Sequence, residues 1–537
     1  MDKANAVEDR SALSATFAPL KQATFAVLWV ATVLGNVGGF MRDVASSWLA
    51  TELSSSPFDV AMIQVAAVLP ICLFAIPAGA LADIFDRRRM LVAVQLMLAA
   101  VSGMLLMLIH FHALTLEYLV ALTFLGGVGG AFFGPAWQSI LAELVDRSQL
   151  TRAVALNSLG VNVSRSIGPA LGGIALVALG AAATYGVDVA SDILVIAALF
   201  WWRRVASPGK QMPEQFVGAL RAGVRYAHAS PELHRVLARA ALFFSFASAI
   251  WALLPLIARQ MLGASSGFYG VLLSGVGAGA IGGALLLPAV KRWAGPDTLV
   301  LAASLLSAAV MAGVVLFPSR VVAVCLMLLL GVAWIAALTT LNSVAQSILP
   351  GWVRGRGLAV YLTVFNGAMA VGSLAWGGIA GAVGVRSALL IAGSGLALAA
   401  LLAYRLKLPS GDADLETPGS WPEPSRADSL GIARGPVLIQ VEYRIRREDR
   451  SAFLASVRKL SVARRRDGAY AWGVAEHTDD AERVIEWFLV ESWAEHMRQH
   501  QRVTNEDAHL HKEVSAFHNG STPPVANHFV ALDSRGD

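Results

Sequence analysis

Long apolar runs, each closed by a few polar or basic positions, dominate most of the chain. A spanning helix needs about 20 apolar residues to cross roughly 30 Å of hydrocarbon. Runs of that kind start near Phe25, Phe58, Met90, Tyr118, Ala153, Thr184, Ala240, Phe268, Thr298, Val321, Gly357 and Ala388, which predicts twelve spans. Between the sixth and seventh, Pro213 to Arg239 reads as an amphipathic helix broken by Pro231, with Phe216, Leu220, Val224, Leu233 and Leu237 on its apolar face. Such a helix lies at a membrane surface. After the twelfth run, Pro409 to Pro436 is rich in Pro, Gly, Ser and Asp and reads as a flexible linker. Beyond it the period changes. Val437, Ile439, Val441, Tyr443 and Ile445 alternate with Gln440, Glu442 and Arg444, the pattern of a half-buried strand. A helix (Glu448 to Arg465), strands (Tyr470 to Glu476, Val484 to Glu491), helices (Ala494 to Phe517) and a strand near Phe529 follow, in the βαββαβ order of a ferredoxin-like domain.

The expected fold class is therefore an all-α polytopic membrane protein, twelve transmembrane helices in two six-helix halves, with a C-terminal α+β ferredoxin-like soluble domain. The expected divisions are an N-terminal tail (1–22), a first half (23–204), a connector (205–239), a second half (240–408), a linker (409–436) and the soluble domain (437–537).

Composition agrees. Over 537 residues, 56% are apolar and 15% charged, against roughly 25% charged in an ordinary soluble domain. The charge concentrates from Arg434 onward, where 15 Lys/Arg and 16 Asp/Glu fall in 104 residues. The net charge of +5 is not a nucleic-acid signature, because the basic residues of the apolar block sit at the ends of its runs. Arg87, Arg88, Arg89, Arg147, Arg152, Arg203, Arg204, Lys291, Arg292, Arg354 and Arg356 all fall in even-numbered loops. The positive-inside rule then places both termini in the cytoplasm of a multi-pass cell (inner) membrane protein. Met1 to Gln22 lacks the short apolar core of a signal peptide. Cys72 and Cys325 lie inside apolar runs, so no disulfide framework or Cys-based zinc site is expected.

An internal repeat sharpens the architecture. Gly79-Ala80-Leu81 returns as Gly283-Ala284-Leu285, Leu171 to Ala175 as Trp376 to Ala380, and Gln138 to Leu141 as Gln346 to Leu349, at offsets of 204, 205 and 208. Two halves of common ancestry and orientation are a transporter plan, with the substrate site between them near mid-bilayer. The stretch Gly79-Ala80-Leu81-Ala82-Asp83-Ile84-Phe85-Asp86-Arg87-Arg88-Arg89 resembles the loop 2–3 signature of the major facilitator superfamily, departing from it at Ile84. Gly168-Pro169-Ala170-Leu171-Gly172-Gly173 resembles the fifth-helix motif of the superfamily's exporting, proton-antiporting branch. The whole chain is similar to the subgroup that contains the enterobactin exporter and the transmembrane secretion effectors. The resemblance implies that Gly79, Asp83, Arg87 and Arg88 gate the cytoplasmic side. Close-packing glycines and a helix-bending proline at Gly168, Pro169, Gly172 and Gly173 suit a seam on which halves rock. The plainer reading of Arg87 to Arg89 is that they only set topology.

Ionisable residues inside the hydrocarbon cost at least about 2.5–3.5 kcal/mol each, so each needs a reason. Arg42 and Asp43 on the first helix, Arg165 on the fifth, and Asp188 and Asp192 on the sixth lie at comparable depths. Asp188 and Asp192 are four apart and share a face. Two carboxylates close together in low dielectric cannot both ionise cheaply, so such a site can take and release a proton, as an antiporter requires. The alternative is that Arg42 and Arg165 pair permanently with the aspartates and hold the first half together. In the second half, Trp251, Trp334, Asn342, Gln346, Tyr361 and Asn366, with Gln138 opposite, are candidates for a substrate cavity suited to an amphipathic or weakly cationic molecule.

The soluble domain carries seven of the eleven histidines, with His496 and His500 on one helical face. Without a third ligand in the pattern, no metal and no cofactor are expected. The domain resembles an antibiotic-biosynthesis-monooxygenase-type dimeric α/β barrel, which implies homodimerisation through the tail. The expected function is not enzymatic but proton-coupled efflux of a small amphipathic organic molecule by alternating access. A siderophore or lysolipid exporter is the first rival, and a membrane-tethered enzyme with a monooxygenase-like tail the second. Deleting the residues after Pro409 separates transporter from enzyme.

Overall fold

The computed structural model describes residues 18–202, 223, 225–409 and 435–531, and within them leaves out the side chains of Ile76, Ala80, Ala82, Asp83, Ile84, Ala142, Arg147 and Gln501. The linker and the first part of the connector, including Phe216, Leu220 and Val224, lie outside the described residues. The chain divides into two compact units, one of residues 1–213, 237–342 and 362–407, the other of 214–236, 343–361 and 408–537.

In the first unit, α1 (Ala23–Leu53), α2 (Pro57–Ile84), α3 (Arg87–His110) and α4 (Leu116–Leu144) follow one another closely. Ser56, Asp86 and Thr115 cap the N-termini of α2, α3 and α4 by accepting from backbone amides three residues on, and Pro57 occupies the first turn of α2, where its missing donor costs nothing. Next comes α5 (Leu150–Trp201), whose 52 residues would run roughly 78 Å at 1.5 Å each, far more than one crossing needs. It is broken at Gly180, where φ +81° and ψ 174° leave the helical region. Only glycine takes such a conformation without strain. Pro169, expected to bend this helix, stays within the arm 150–179. Then come α6 (Pro231–Leu256), continued by a π-helical turn at Ile257–Met261, α7 (Ser266–Val290), α8 (Pro296–Leu316), α9 (Arg320–Ser347), α10 (Arg354–Val383) and α11 (Val385–Ala403). Pro231 opens α6 on a Ser230 cap, so the helix already includes residues 231–239 of the expected connector. Among the described residues, eleven helices are long and apolar enough to cross a membrane, the broken α5 counting as one.

The halves of this unit meet where side chains are smallest. A Cβ on Gly270 of α7 would sit 2.5 Å from the Pro169 carbonyl oxygen and 3.0 Å from Gly173 Cα, so the two backbones touch through glycine alone. On the opposite side of α5, Ser164 Oγ donates to the Val33 carbonyl of α1 at 3.0 Å, and Gly168 and Gly172 pack on Phe40 and Met41.

The second unit contains the C-terminal α+β elements. Its elements are β1 (Val437–Arg444), α12 (Arg450–Asp467), β2 (Ala471–Glu476), β3 (Arg483–Val490), α13 (Trp493–Arg502), α14 (Asn505–Ser515) and β4 (Val525–Val530). The sheet order is β2-β3-β1-β4 with every pair antiparallel. β1 alternates buried and half-buried positions, and Val437, Ile439, Val441 and Tyr443 meet Phe453, Val457 and Leu460 of α12 in one core. At its centre the buried Glu486 accepts from Arg464 (3.2 Å), Trp472 Nε1 (3.0 Å) and the Tyr443 hydroxyl (3.3 Å), which satisfies a carboxylate that would be costly alone.

Candidate functional site

The charges of the first half gather around an open cleft in the first unit. Gly35 and Gly38 leave room on α1 for the arm 181–201 to approach: a Cβ on Gly38 would come within 2.9 Å of Asp188 Oδ1. That approach sets Arg42 between two carboxylates, 3.1 Å from Asp188 Oδ2 and 3.5 Å from Asp43 Oδ1. Asp188 is fully buried and also accepts from Ser102 Oγ of α3 at 2.6 Å. One turn on, Asp192 is 3% exposed. Asp188 Oδ1 and Asp192 Oδ2 have no hydrogen-bond partner among the described residues. Two carboxylate oxygens without donors beside one guanidinium are a place where a proton, or a donor group of a ligand, would be held. Asp43 opens toward the cleft, and Thr32, Asn36, Gln95 and Phe133, none of them expected from the sequence, complete the wall.

Arg165 does not join this cluster and makes no ion pair with any described residue. Its azimuth on α5 differs from that of the residues that face α1. Ser164, one position earlier, faces α1, whereas the Arg165 carbonyl turns to Gly277 of α7. The expected substrate-cavity residues do not line the cleft either. Trp251 and Trp334 stack edge-on at 5.1 Å within an aromatic core that includes Phe243, Phe244 and Phe365. Asn366 spends its amide on the Leu362 carbonyl of its own helix at 2.8 Å. Asn342 is half-buried, and Gln138 and Gln346 are exposed. Tyr361 is buried in the second unit.

At the α2–α3 turn, the Asp83 side chain lies outside the described residues, and Gly79 has open space around it. The anion at the α3 N-terminus is Asp86, which accepts from Arg89 N at 2.9 Å, where the helix dipole favours negative charge. Arg87 pairs with Glu143 of α4 at 2.7 Å. Arg88 donates to the carbonyls of Leu199 (2.7 Å) and Phe200 (3.0 Å), satisfying the C-terminal end of α5. The sequence singled out the arginines but not Asp86 or Glu143, because an acid at a helix end has no spacing signature of its partner.

In the second unit, Glu495 of α13 is the centre of an arginine cluster: Arg502 (2.6 Å), Arg225 (2.7 Å) and Arg498 (2.8 Å) all reach it. Burial opposes its charge, but Arg502, Arg498 and Arg225 outweigh burial and hold its carboxyl below the usual range. Arg225 belongs to the helical residues 225–229 of the connector and also reaches Glu491 at 3.8 Å, so that segment is held to the C-terminal elements through two carboxylates. Nearby, burial raises Asp467 to about 7 despite Arg466 beside it. Three imidazoles also converge here. His496 and His500 of α13 face each other through Nε2 at 3.2 Å, and His528 of β4 joins them. Burial, then His500 and His528, lower His496 to about 3, so its ring is neutral.

Known proteins agree with this architecture. The chain is 24% identical over 342 residues to a staphyloferrin A transporter of Staphylococcus aureus, covering 63% of this chain and 85% of that one. It is 27% identical over 332 residues to an enterobactin exporter of Salmonella typhimurium (60% and 78%), and 23% identical over 383 residues to a multidrug efflux pump of Mycolicibacterium fortuitum (69% and 92%). Among solved structures, an inward-facing bacterial homolog of the human lysosomal transporter Spinster superimposes with a TM-score of 0.57 at 16% identity, over 72% of this chain and 98% of that one. The family model described as transmembrane secretion effector matches residues 14–536, and the chain belongs to that family.

Proposed function

We propose that this chain is a secondary efflux transporter that moves a small amphipathic organic molecule out of the cell in exchange for protons. Its relatives named above are transporters, exporters and efflux pumps, which supports export over an enzymatic role. One observation carries the coupling: Arg42 is shared by Asp43 and Asp188, while Asp188 Oδ1 and Asp192 Oδ2 stand without donors at the cleft. In this reading the carboxylates load a proton when substrate is absent and release it when a cationic or donor-bearing substrate takes their place, at about 2.3 kcal/mol of driving force per 100 mV. Rocking takes place along the glycine contact of α5 with α7, and Arg87 and Arg88 stabilise one end of the first half.

The same proposal includes twelve passes, with the break at Gly180 as the turn between the fifth and sixth, and both termini on the cytoplasmic side. It also includes a ferredoxin-like soluble domain, supported by the β2-β3-β1-β4 order, that pairs with a second copy near the exposed Val525 and Phe529 of β4. The staphyloferrin A and enterobactin relatives favour a siderophore as the second substrate class.

Inverted vesicles containing the protein and a pH-sensitive dye test the coupling. After acidification of the lumen, cationic dyes, antibiotics and siderophores are added in turn. A compound should collapse the gradient with the unmodified protein and not with Asp43→Asn or Asp192→Asn at equal expression. Collapse that persists in both variants would refute the assignment.

A further inference from the structure

We propose that His496, His500 and His528 form a binding site for one divalent transition-metal ion of the zinc class in the soluble domain. The pair on α13 is four apart and so shares a face. The third ring comes from β4, which the sheet places beside that face, and the donor atoms of all three lie within 4.8 Å of one another. Zinc–imidazole bonds of about 2.0–2.1 Å in a tetrahedron place ligand nitrogens about 3.3 Å apart. His496 Nε2 and His500 Nε2 already stand 3.2 Å apart, and a small rotation of either ring turns both lone pairs toward one point between them and His528. His528 is half-buried on an edge strand, and a closure of about 1.5 Å through its side-chain torsions completes the triangle that such bond lengths require.

The surroundings fit a ligand set. Trp493 packs against both His496 (5.4 Å between ring centroids) and His528 (5.8 Å), which limits their rotation. The Gln499 amide lies against the His496 ring. Turned so that Oε1 accepts from Nδ1–H, it fixes the tautomer whose Nε2 lone pair faces the other two rings, the outer-shell support that metal-bound histidines require. The nearest guanidinium, that of Arg464, is neutralised by Glu486 at 3.2 Å. Three imidazoles select Zn²⁺, Co²⁺, Ni²⁺ or Cu²⁺ over Mg²⁺ and Ca²⁺, which want oxygen ligands, and leave a fourth position for water or another ligand.

The test uses the purified full-length chain free of any polyhistidine tag. Co²⁺ is titrated with its visible absorption followed, and bound metal is counted after equilibrium dialysis. One Co²⁺ per chain with the intense bands of a four-coordinate ion is expected, displaced by Zn²⁺ and not by Mg²⁺. His528→Asn, the mildest change because the residue is half-buried, should weaken binding by more than about tenfold, as should His496→Asn. His509→Asn, at an exposed position outside the cluster, should leave it unchanged. No stoichiometric Co²⁺ on the unmodified chain, or equal binding by His528→Asn and His496→Asn, overturns the proposal.

Discussion

The ion pair at the cleft separates a proton-coupling site from a structural staple. Asp188→Asn keeps the shape of a fully buried side chain but removes its charge, so Arg42, 16% exposed, keeps only Asp43 at 3.5 Å. Breaking a buried pair from one side costs about 3–5 kcal/mol, and the remaining partner argues for the lower end. The Ser102 donor at 2.6 Å loses a charge-assisted bond as well, about 1.5–3 kcal/mol against roughly 1 for a neutral one. Removing both charges, in Arg42→Gln/Asp188→Asn, leaves no charge of that pair buried alone and strands only Asp43, which opens to the cleft, so about 2 kcal/mol of that loss should return. Asp192→Asn touches no ion pair, so its stability should equal or exceed that of the unmodified chain. Unfolding in mixed micelles measures the energies, and gradient-driven efflux in vesicles the coupling. All three variants should lose proton-coupled efflux while their stabilities diverge. Restored efflux in the double variant would refute coupling through this cluster and leave it a staple. An Asp188→Asn chain as stable as the unmodified one would refute the pairing itself.

Two further outcomes follow from the geometry. Gly270→Leu places a side chain where a single Cβ already stands 2.5 Å from the Pro169 carbonyl and should abolish transport without preventing membrane insertion, whereas Gly282→Leu, with open space around it, should be tolerated; efflux at matched expression checks both. In the soluble domain, Asp467 is raised from 3.8 to about 7 in the folded state, so the folded chain holds its proton longer than the unfolded one. Its contribution is complete below about pH 4 and lost as pH rises through 7, on the order of 4 kcal/mol in all. Asp467→Asn should therefore raise the melting temperature at pH 8 and not at pH 4, and an equal shift at both would contradict the burial argument.

What the sequence reveals here is set by which geometric coordinate it encodes. Position along a helix axis follows from residue count, so the common depth of Arg42, Asp43, Asp188 and Asp192 could be read from the apolar runs, and the spacing of four fixed the shared face of the two aspartates. Azimuth between helices does not follow from count. It is decided by which faces pack, and on α5 that is decided by Ser164, Gly168 and Gly172 against α1 and by Gly173 against α7. Arg165 follows Ser164 by one position and so lies on a different face, and no arithmetic of runs could have excluded it. The aromatic candidates failed for a related reason. Trp251 and Trp334 are polar enough at one atom to suggest a ligand wall, yet their rings fill a core with Phe243, Phe244 and Phe365. His528 is the converse case. Twenty-eight positions beyond His500, it has no spacing relation to the helical pair, and the sequence pattern offered no third ligand; it joins the pair where β4 adds to the sheet beside β1. No count of residues says that Trp493 and His496 of α13 pack on His528 of β4. Sites assembled within one element are thus open to sequence reasoning, and sites assembled by helix rotation or by a helix packing on a distant strand are not.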